Sequence, residues 1–294
     1  MRMRFFGGLH PAVSFLYFAA VLALTLVCFH PVMAALSLVG AVCFSAQLNG
    51  WRSVGLTSRF VLPMFLLIAI ANPLFNHRGV TMLCMLFDQW FTLEAVCYGL
   101  VSAASLSAVI FWFTCYQAVM TSDKFLFLFG QIAPNTALLI TMTLGLIPRL
   151  QERSAQIRTA QKMLLPENKR LLPRLHAANR NLSALLMWSM ENAVQTADSM
   201  KARGYGVRRR TTFHLFVFDT RDAAVLGLIL ALGGICVLGR AFGHGAMTFY
   251  PRMDAVFTGA SGAVLYGAFA VLVFFPAILE AKEKLTWRCC GWKD

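Results

Sequence analysis

The sequence predicts an all-α, polytopic membrane protein with about six transmembrane helices and a helical region on the cytoplasmic side. Three observations predict this class. The mean hydropathy is +0.65, with 58% of the 294 residues hydrophobic and 13% charged, a balance typical of membrane proteins. Uncharged runs close to the ~20 residues needed to cross a bilayer recur along the chain. One internal segment, 149–222, interrupts them with frequent charges.

The apolar runs give six candidate spans. Residues 11–47 contain two of them, divided at His30-Pro31. The others are 60–76, 95–117, 223–239 and 255–279.

The positions of the basic residues predict the orientation. If both termini are inside, only Arg78, Arg240 and Arg252 lie outside, and the other 23 of the 26 Lys and Arg residues lie inside. Positive charge marks the cytoplasmic side of a membrane protein. The net charge of +13 is therefore interpreted as a topology signal, and no nucleic-acid partner is expected.

These spans divide the chain into three segments. Residues 1–117 are predicted to hold the N-terminal transmembrane helices, 118–222 a cytoplasmic helical region, and 223–294 the C-terminal helices with a short cytoplasmic tail. Residues 125–148 are uncharged and could also span. Because Gly130, Gln131, Pro134 and Asn135 interrupt them, and because a crossing would move the basic block outside, an amphipathic or half-buried arrangement at the inner face is favoured.

Three helices are predicted in the cytoplasmic region. A short one begins at Ser122-Asp123, a good start signal. A second runs from about 134 to 164 with a kink expected at Pro148, and a third follows Pro173 and ends near 203. The third has one apolar stripe at three- and four-residue steps. Its members are Leu175, Ala178, Leu182, Leu186, Ala193, Ala197 and Met200.

The sequence lacks the residues that several kinds of function require. The predicted spans contain no ionisable side chain of the kind that proton and ion pathways use. No phosphate-binding G-x-x-x-x-G-K-[ST] motif occurs, and no catalytic constellation converges on one face. The eight cysteines have no metal-ligand spacing. We therefore expect a non-catalytic membrane subunit with no cofactor, no bound metal and no catalytic residue.

The stretch "ADSMKARGYGVRRR" ends the third helix. Gly204 can adopt the left-handed conformation that terminates a helix, and a cation such as Arg203 is favoured at a helix C-terminus by the macrodipole alone. The same arginine could enter a groove and bind carboxylates through two parallel hydrogen bonds, with Ala202 and Gly204 small enough for close approach. Arg208-Arg209-Arg210 suit contact with anionic lipid headgroups.

The order of several short motifs resembles one family. They are "LHPAVSFLYF", "NPLFNHRGVT", "TLEAVCYGL", "SDKFLFLFG", "LIPRL", "IRTAQ" and "SMKARGYG". In this order the chain resembles, over nearly its whole length, the T component of energy-coupling factor (ECF) transporters, the transmembrane coupling subunit of these ABC-type importers.

The resemblance implies a function and its partners. A T component in a bacterial plasma membrane, multi-pass with both termini cytoplasmic, joins two ABC-type ATPase subunits to a small membrane protein, the S component, which binds a vitamin or metal ion. Coupling helices with Ala-Arg-Gly-type tips dock in the ATPases and transmit ATP-driven motion. The T component is not the catalyst, and substrate specificity lies in the S component.

At the positions that correspond to the two tips of the family, the residues of this chain match only in part. Ala202, Arg203 and Gly204 match the second tip. Ala160 and Gln161 match the approach to the first tip, but Leu164-Leu165 stand where Arg-Gly is expected. Arg158 or Lys162 would then replace the missing arginine, or the contact at Leu164 would be apolar; unequal tips would suit two different ATPases. The alternative is the permease subunit of a conventional ABC transporter, which would contain the substrate path itself.

Overall fold

The computed structural model describes residues 5–76, 80–86, 89–130, 132–164, 171–207, 216–243, 247–249 and 259–289. These residues confirm the predicted all-α class. The helices are α1 (Phe5–Gly8), α2 (Pro11–Val27), α3 (Pro31–Asn49), α4 (Trp51–Phe75), α5 (Leu93–Val119), α6 (Ser122–Gly130), α7 (Pro134–Leu164), α8 (Leu171–Ala202), α9 (Thr220–Ala241) and α10 (Gly259–Cys289). One element was not predicted, an antiparallel pair of strands β1 (Met82–Leu86) and β2 (Gln89–Thr92).

Within the described residues, five helices are long and apolar enough to cross a membrane: α3, α4, α5, α9 and residues Gly262–Glu283 of α10. The apolar helix α2 has 17 residues. These six helices correspond to the six predicted spans, and they make the chain a multi-pass membrane protein. Residues 134–148 belong to α7, which is not among these candidate spans.

Some boundaries differ from the prediction. Helix α4 begins at Trp51, so Arg52 and Arg59 lie in its first turns, where long basic side chains can reach toward water. Helix α8 begins at Leu171 and includes Pro173 in its first turn, where proline's missing N–H costs nothing. Helix α10 continues past 279, so Glu280, expected in the tail, is a buried residue of that helix.

The chain forms two compact units. Unit 1 comprises Met1–Phe125 and Phe216–Asp294, and unit 2 comprises Leu126–Leu215. This division reflects how the chain packs, and not where its segments lie relative to a membrane. The three segments predicted from membrane location stay a prediction.

The core of unit 1 is an aromatic cluster. Trp112 of α5 is fully buried among Tyr17, Phe18 and Phe44, with ring centroids 6.1–6.2 Å from its own. Its indole N–H donates to Ser37 Oγ (3.1 Å), which is 2.9 Å from Thr25 Oγ1. Since buried polar atoms need such partners, this chain of bonds fixes α5 against α3 and α2.

Hydrogen bonds sort the helix ends of unit 1 into two groups. At one end, His10 N donates to Asp222 Oδ1 (3.1 Å) and Lys124 Nζ donates to Gly7 O (2.5 Å). The starts of α2 and α9 and the end of α5 therefore lie together. We call this the Lys124 end. Both connections to unit 2 leave unit 1 here, since unit 2 follows Phe125 and precedes Phe216.

The opposite group forms the His30 end. There the Tyr266 hydroxyl is 2.9 Å from His30 Nε2, and Met247 N donates to Phe29 O (3.4 Å). The ring centroids of Phe29 and Tyr98 lie 5.1 Å apart, with the rings tilted by 44°. The end of α2 and the starts of α3, α5 and α10 thus meet, as six helices of alternating direction require.

Candidate docking site

Helices α7 and α8 pack together as an antiparallel pair, which we call the helix pair. Asn181 Nδ2 donates to Ser154 Oγ (3.1 Å). Ser154 is ten residues before the end of α7, and Asn181 is ten residues after the start of α8. A parallel pair would separate Leu164 from Leu171 by about 30 Å, but the seven residue steps between them reach at most about 25 Å. Only the antiparallel arrangement closes this connection.

The face between the two helices is mixed in character. Asn181 is buried (9% exposed), and its Oδ1 has no hydrogen-bond partner in the described chain. The guanidinium of Arg153 lies 6.0 Å from the centre of the Trp188 ring, within the range of a cation–π contact. A polar hydrogen bond and a cation–π contact therefore join the two helices at this face.

The predicted apolar stripe of α8 lies mostly outside this face. Leu175 is 63% exposed and Leu182 and Leu186 are each 57% exposed. On α7, Leu139 and Ile147 are 62% and 50% exposed. Exposed apolar side chains grouped in this way are a feature of surfaces that contact protein or membrane.

The end of α8 carries the predicted Arg203 tip. Tyr205 N donates to Met200 O (3.0 Å), and Gly204 N donates to Lys201 O (2.9 Å). Gly204 has φ +84°. This is the Schellman pattern of helix termination, and it confirms the predicted left-handed glycine cap.

The cap presents Arg203 to solvent. Ala202, Arg203 and Gly204 are all exposed. The described part of the chain offers the Arg203 guanidinium no hydrogen bond or ion pair. Hydrogen bonds from the backbone N–H groups of Arg203, Gly204 and Tyr205 fix the backbone around Arg203. Its guanidinium, which is always charged, is therefore attached to a rigid turn.

The first tip lies in the last turns of α7. Arg158, Ala160 and Lys162 are exposed, and Gln161 is partly buried. Leu164 is the last helical residue; its side chain and all of Leu165 lie outside the described residues. The sequence has Leu164-Leu165 at this position, and the expected effect on docking stays a prediction.

The structure does not bring the two tips together. Ser154 is ten residues from Leu164, and Asn181 is twenty-two residues from Arg203. In an antiparallel pair these stretches extend in opposite directions. At ~1.5 Å per residue they place the tips roughly 45 Å apart along the helix axes.

Two features near these residues were not predicted. Lys124, next to the start of unit 2, is 7% exposed and donates to Gly7 O and Val119 O (3.2 Å). Burial lowers the pKa of its ammonium from the usual value. Beyond Gly204, Tyr205 and Val207 are large apolar residues exposed on the tip. Exposure is a property of packing, which the local sequence does not encode.

Among the described residues, no group of His, Cys, Asp and Glu is arranged to hold a metal ion. Comparison with protein-family models finds no match to this chain. A search of curated proteins likewise finds no significant match.

Proposed function

We propose that this chain is the transmembrane coupling subunit, the T component, of an ECF-type importer in a bacterial plasma membrane. Its partners are two ABC-type ATPase subunits, a small S component that binds a vitamin or metal ion, and membrane lipid. The chain itself carries no catalytic site. It passes ATP-driven motion from the ATPases to the S component through the helix pair.

The observation that carries this proposal is the form of the Arg203 tip. The Arg203 guanidinium has no partner in the described chain and is held on a hydrogen-bonded helix cap. It is therefore suited to docking into an acidic groove of another protein. Its distance of roughly 45 Å from the end of α7 leaves room for a second protein at the other tip. Two separate contacts are what a subunit that bridges two ATPases needs.

The two ends of unit 1 support the orientation. Among the described residues of unit 1, Arg52, Lys124 and Arg221 lie in the first turns of helices that begin at the Lys124 end. Arg240, in the last turn of α9, lies on the side of the His30 end. By the positive-inside rule the Lys124 end is cytoplasmic. Both termini and unit 2 then belong to the cytoplasmic side, where ATP and ATPase subunits are.

The interior of unit 1 favours a scaffold over a permease. The space between α2, α3 and α5 is filled by Trp112, Tyr17, Phe18 and Phe44, all at most 1% exposed. Aromatic side chains in edge-on and tilted contact pack at the density of a solid core. A conventional permease would need a substrate path, and these three helices are closed by their own side chains.

The test is purification of the tagged chain from the membranes of the cells that produce it, in mild detergent. We expect two ATPase subunits and one small membrane protein in stoichiometric amounts. Arg203→Glu should weaken ATPase retention, because reversing the charge removes a charge-assisted contact that costs about 2–5 kcal/mol when truncated at an interface. ATPase activity per mole of tagged chain measures this loss.

The matched control is Arg180→Glu, which makes the same charge change at an exposed position of α8 away from either tip. It should retain the ATPases at the level of the natural chain. Equal retention by the Arg203 and Arg180 variants would contradict the proposed role of Arg203. ATPases without a separate small membrane protein would favour the conventional permease.

A further inference from the structure

The Arg203 tip continues beyond its glycine cap as a second turn. Val207 N donates to Gly204 O (3.2 Å), and Gly206 also has a positive φ of +91°. Residues with a Cβ rarely adopt this conformation. Two glycines therefore determine the path of the chain from 203 to 207, and with it the position of the residues between and after them.

This turn places two apolar side chains in solvent beside Arg203. Tyr205 is 51% exposed and Val207 is 80% exposed. In a Schellman motif, the residue after the glycine commonly packs against the third residue from the helix end, here Met200. Half of the Tyr205 side chain and most of Val207 are nevertheless exposed, so local packing at the cap does not cover this apolar surface.

We propose that Tyr205 and Val207 are the apolar anchor of the docking tip and that Arg203 orients it. This inference rests on the proposed function and specifies its site further. The groove in the ATPase subunit combines an acidic rim, which binds the Arg203 guanidinium, with an adjacent apolar pocket, which takes the Tyr205 ring and the Val207 methyls.

The physical reason is that electrostatic attraction and apolar burial contribute to binding in different ways. A guanidinium is attracted over distance and sets direction, but its net contribution falls as salt screens it. An aromatic ring on a fixed turn loses little conformational freedom on binding and buries a large area, which is why Tyr is common among residues that dominate interface energies. Arg203 provides the electrostatic attraction, and the exposed pair Tyr205 and Val207 provides the apolar area that is buried on binding.

The salt dependence of dissociation separates these contributions. Tagged complex is immobilised, washed with buffer at about 0.1 M or about 1 M NaCl, and the loss of bound ATPase activity is followed in time; the Debye length falls from about 10 Å to about 3 Å between these conditions. Tyr205→Ala should speed dissociation about tenfold or more at both salt concentrations, as expected for a dominant interface residue. Arg203→Gln should speed dissociation at the low salt concentration and have a much smaller effect at the high one.

Two variants control for shape and for general loss of apolar surface. Tyr205→Phe should dissociate like the natural chain, because the ring, and not the hydroxyl, is the anchor. Val194→Ala removes a 62% exposed apolar side chain from α8 away from the tip and should also dissociate normally. Thermal unfolding of each purified variant shows that the chain itself is intact.

The outcomes distinguish this inference from the proposed function. If Arg203→Gln speeds dissociation and Tyr205→Ala does not, the apolar anchor is wrong and the docking tip stands. If neither variant changes ATPase retention, the tip is not the ATPase site and both proposals fail. If Tyr205→Ala acts only at low salt, the ring serves the arginine and is not an independent anchor, which also overturns the inference.

Discussion

Two histidines, each followed by proline, begin α2 and α3 in the same way. His10 Nδ1 accepts a hydrogen bond from Ala12 N (3.2 Å), and His30 Nδ1 accepts one from Val32 N (3.3 Å). Proline at the first helical position needs no partner for its nitrogen, and the histidine satisfies the next free N–H. The sequence placed both histidines at span edges, and the structure adds that they act as helix caps.

Close approach of α3 and α10 depends on Gly40. A Cβ at this buried position would overlap Val273 Cγ1 of α10. Since valine is stiff at χ1, the helices themselves would have to separate. Gly40→Ala should therefore destabilise unit 1 by about 1–3 kcal/mol, the usual cost of overpacking, measured as a lower thermal midpoint in detergent.

Gly55 of α4 provides the matched control for this prediction. It is exposed, and nothing lies within 4 Å of where its Cβ would be. Gly55→Ala should leave the midpoint unchanged or raise it, because alanine favours a helix by about 1 kcal/mol over glycine. Adding Val273→Ala to Gly40→Ala should recover part of the loss; purely additive losses in the double variant would contradict the close contact.

The contrast between Gly204 and Lys124 shows which single residues can be predicted from sequence. The Gly204 cap was predictable because its hydrogen-bond partners Met200 and Lys201 are a few residues away. Lys124 bonds the carbonyl of Gly7, 117 residues distant. Only the fold brings these together, so no local pattern could indicate that this lysine is buried.

At the element scale, α8 shows the same limit. The three- and four-residue recurrence of its apolar residues predicted a helix, and the helix is present. The recurrence did not indicate that Asn181 would face α7 while Leu182 and Leu186 stay exposed. A periodic pattern identifies an apolar face, but the partner that covers it can be another protein.

This exposure predicts the local stability of the helix pair. In the purified chain, with no ATPase or S component bound, amide hydrogens of α7 and α8 should exchange about tenfold or more faster than those of α3 and α5. Few buried contacts oppose local opening of the pair, whereas α3 and α5 share the core around Trp112. Hydrogen–deuterium exchange followed by mass spectrometry of peptides measures the difference.

Helix α4 is the control for that experiment. Protein buries only 11% of its apolar membrane-spanning stretch. If protein packing alone set the rate of exchange, α4 would therefore exchange as fast as the helix pair. If α4 crosses the membrane, lipid or detergent shields its backbone and it should exchange slowly. Equal, fast exchange in α4 and α8 would contradict a transmembrane α4, and equal, slow exchange in α8 and α3 would contradict a loosely held helix pair.

At the scale of the whole molecule, the apolar helices were predictable and their packing was not. Hydropathy and Pro/Gly positions are local, and they predicted six apolar helices with boundaries that differ by up to ten residues, as at the start of α4 and the end of α10. The joining of α2 to α9 through His10 and Asp222 connects residues 212 positions apart. Such a contact follows from tertiary packing alone.

The two ends of unit 1 lead to a prediction about sidedness. Val80 is 53% exposed next to Thr81, whose oxygen accepts from Leu93 N at the His30 end, and Val217 is 81% exposed two residues before the α9 capping residue Asp219 at the Lys124 end. If the Lys124 end is cytoplasmic, a membrane-impermeant maleimide added to intact cells should label Val80→Cys and not Val217→Cys. Permeabilised cells should label both.

The natural chain, with its own eight cysteines, is labelled in parallel to give the background, and only the increase over it is scored. Labelling of Val217→Cys alone in intact cells would invert the orientation and place unit 2 away from ATP. Labelling of both variants in intact cells would mean that the two groups of helix ends share one side of the membrane. Either result would also place Arg203 out of reach of the proposed cytoplasmic ATPases, because unit 2 is joined to unit 1 through the Lys124 end.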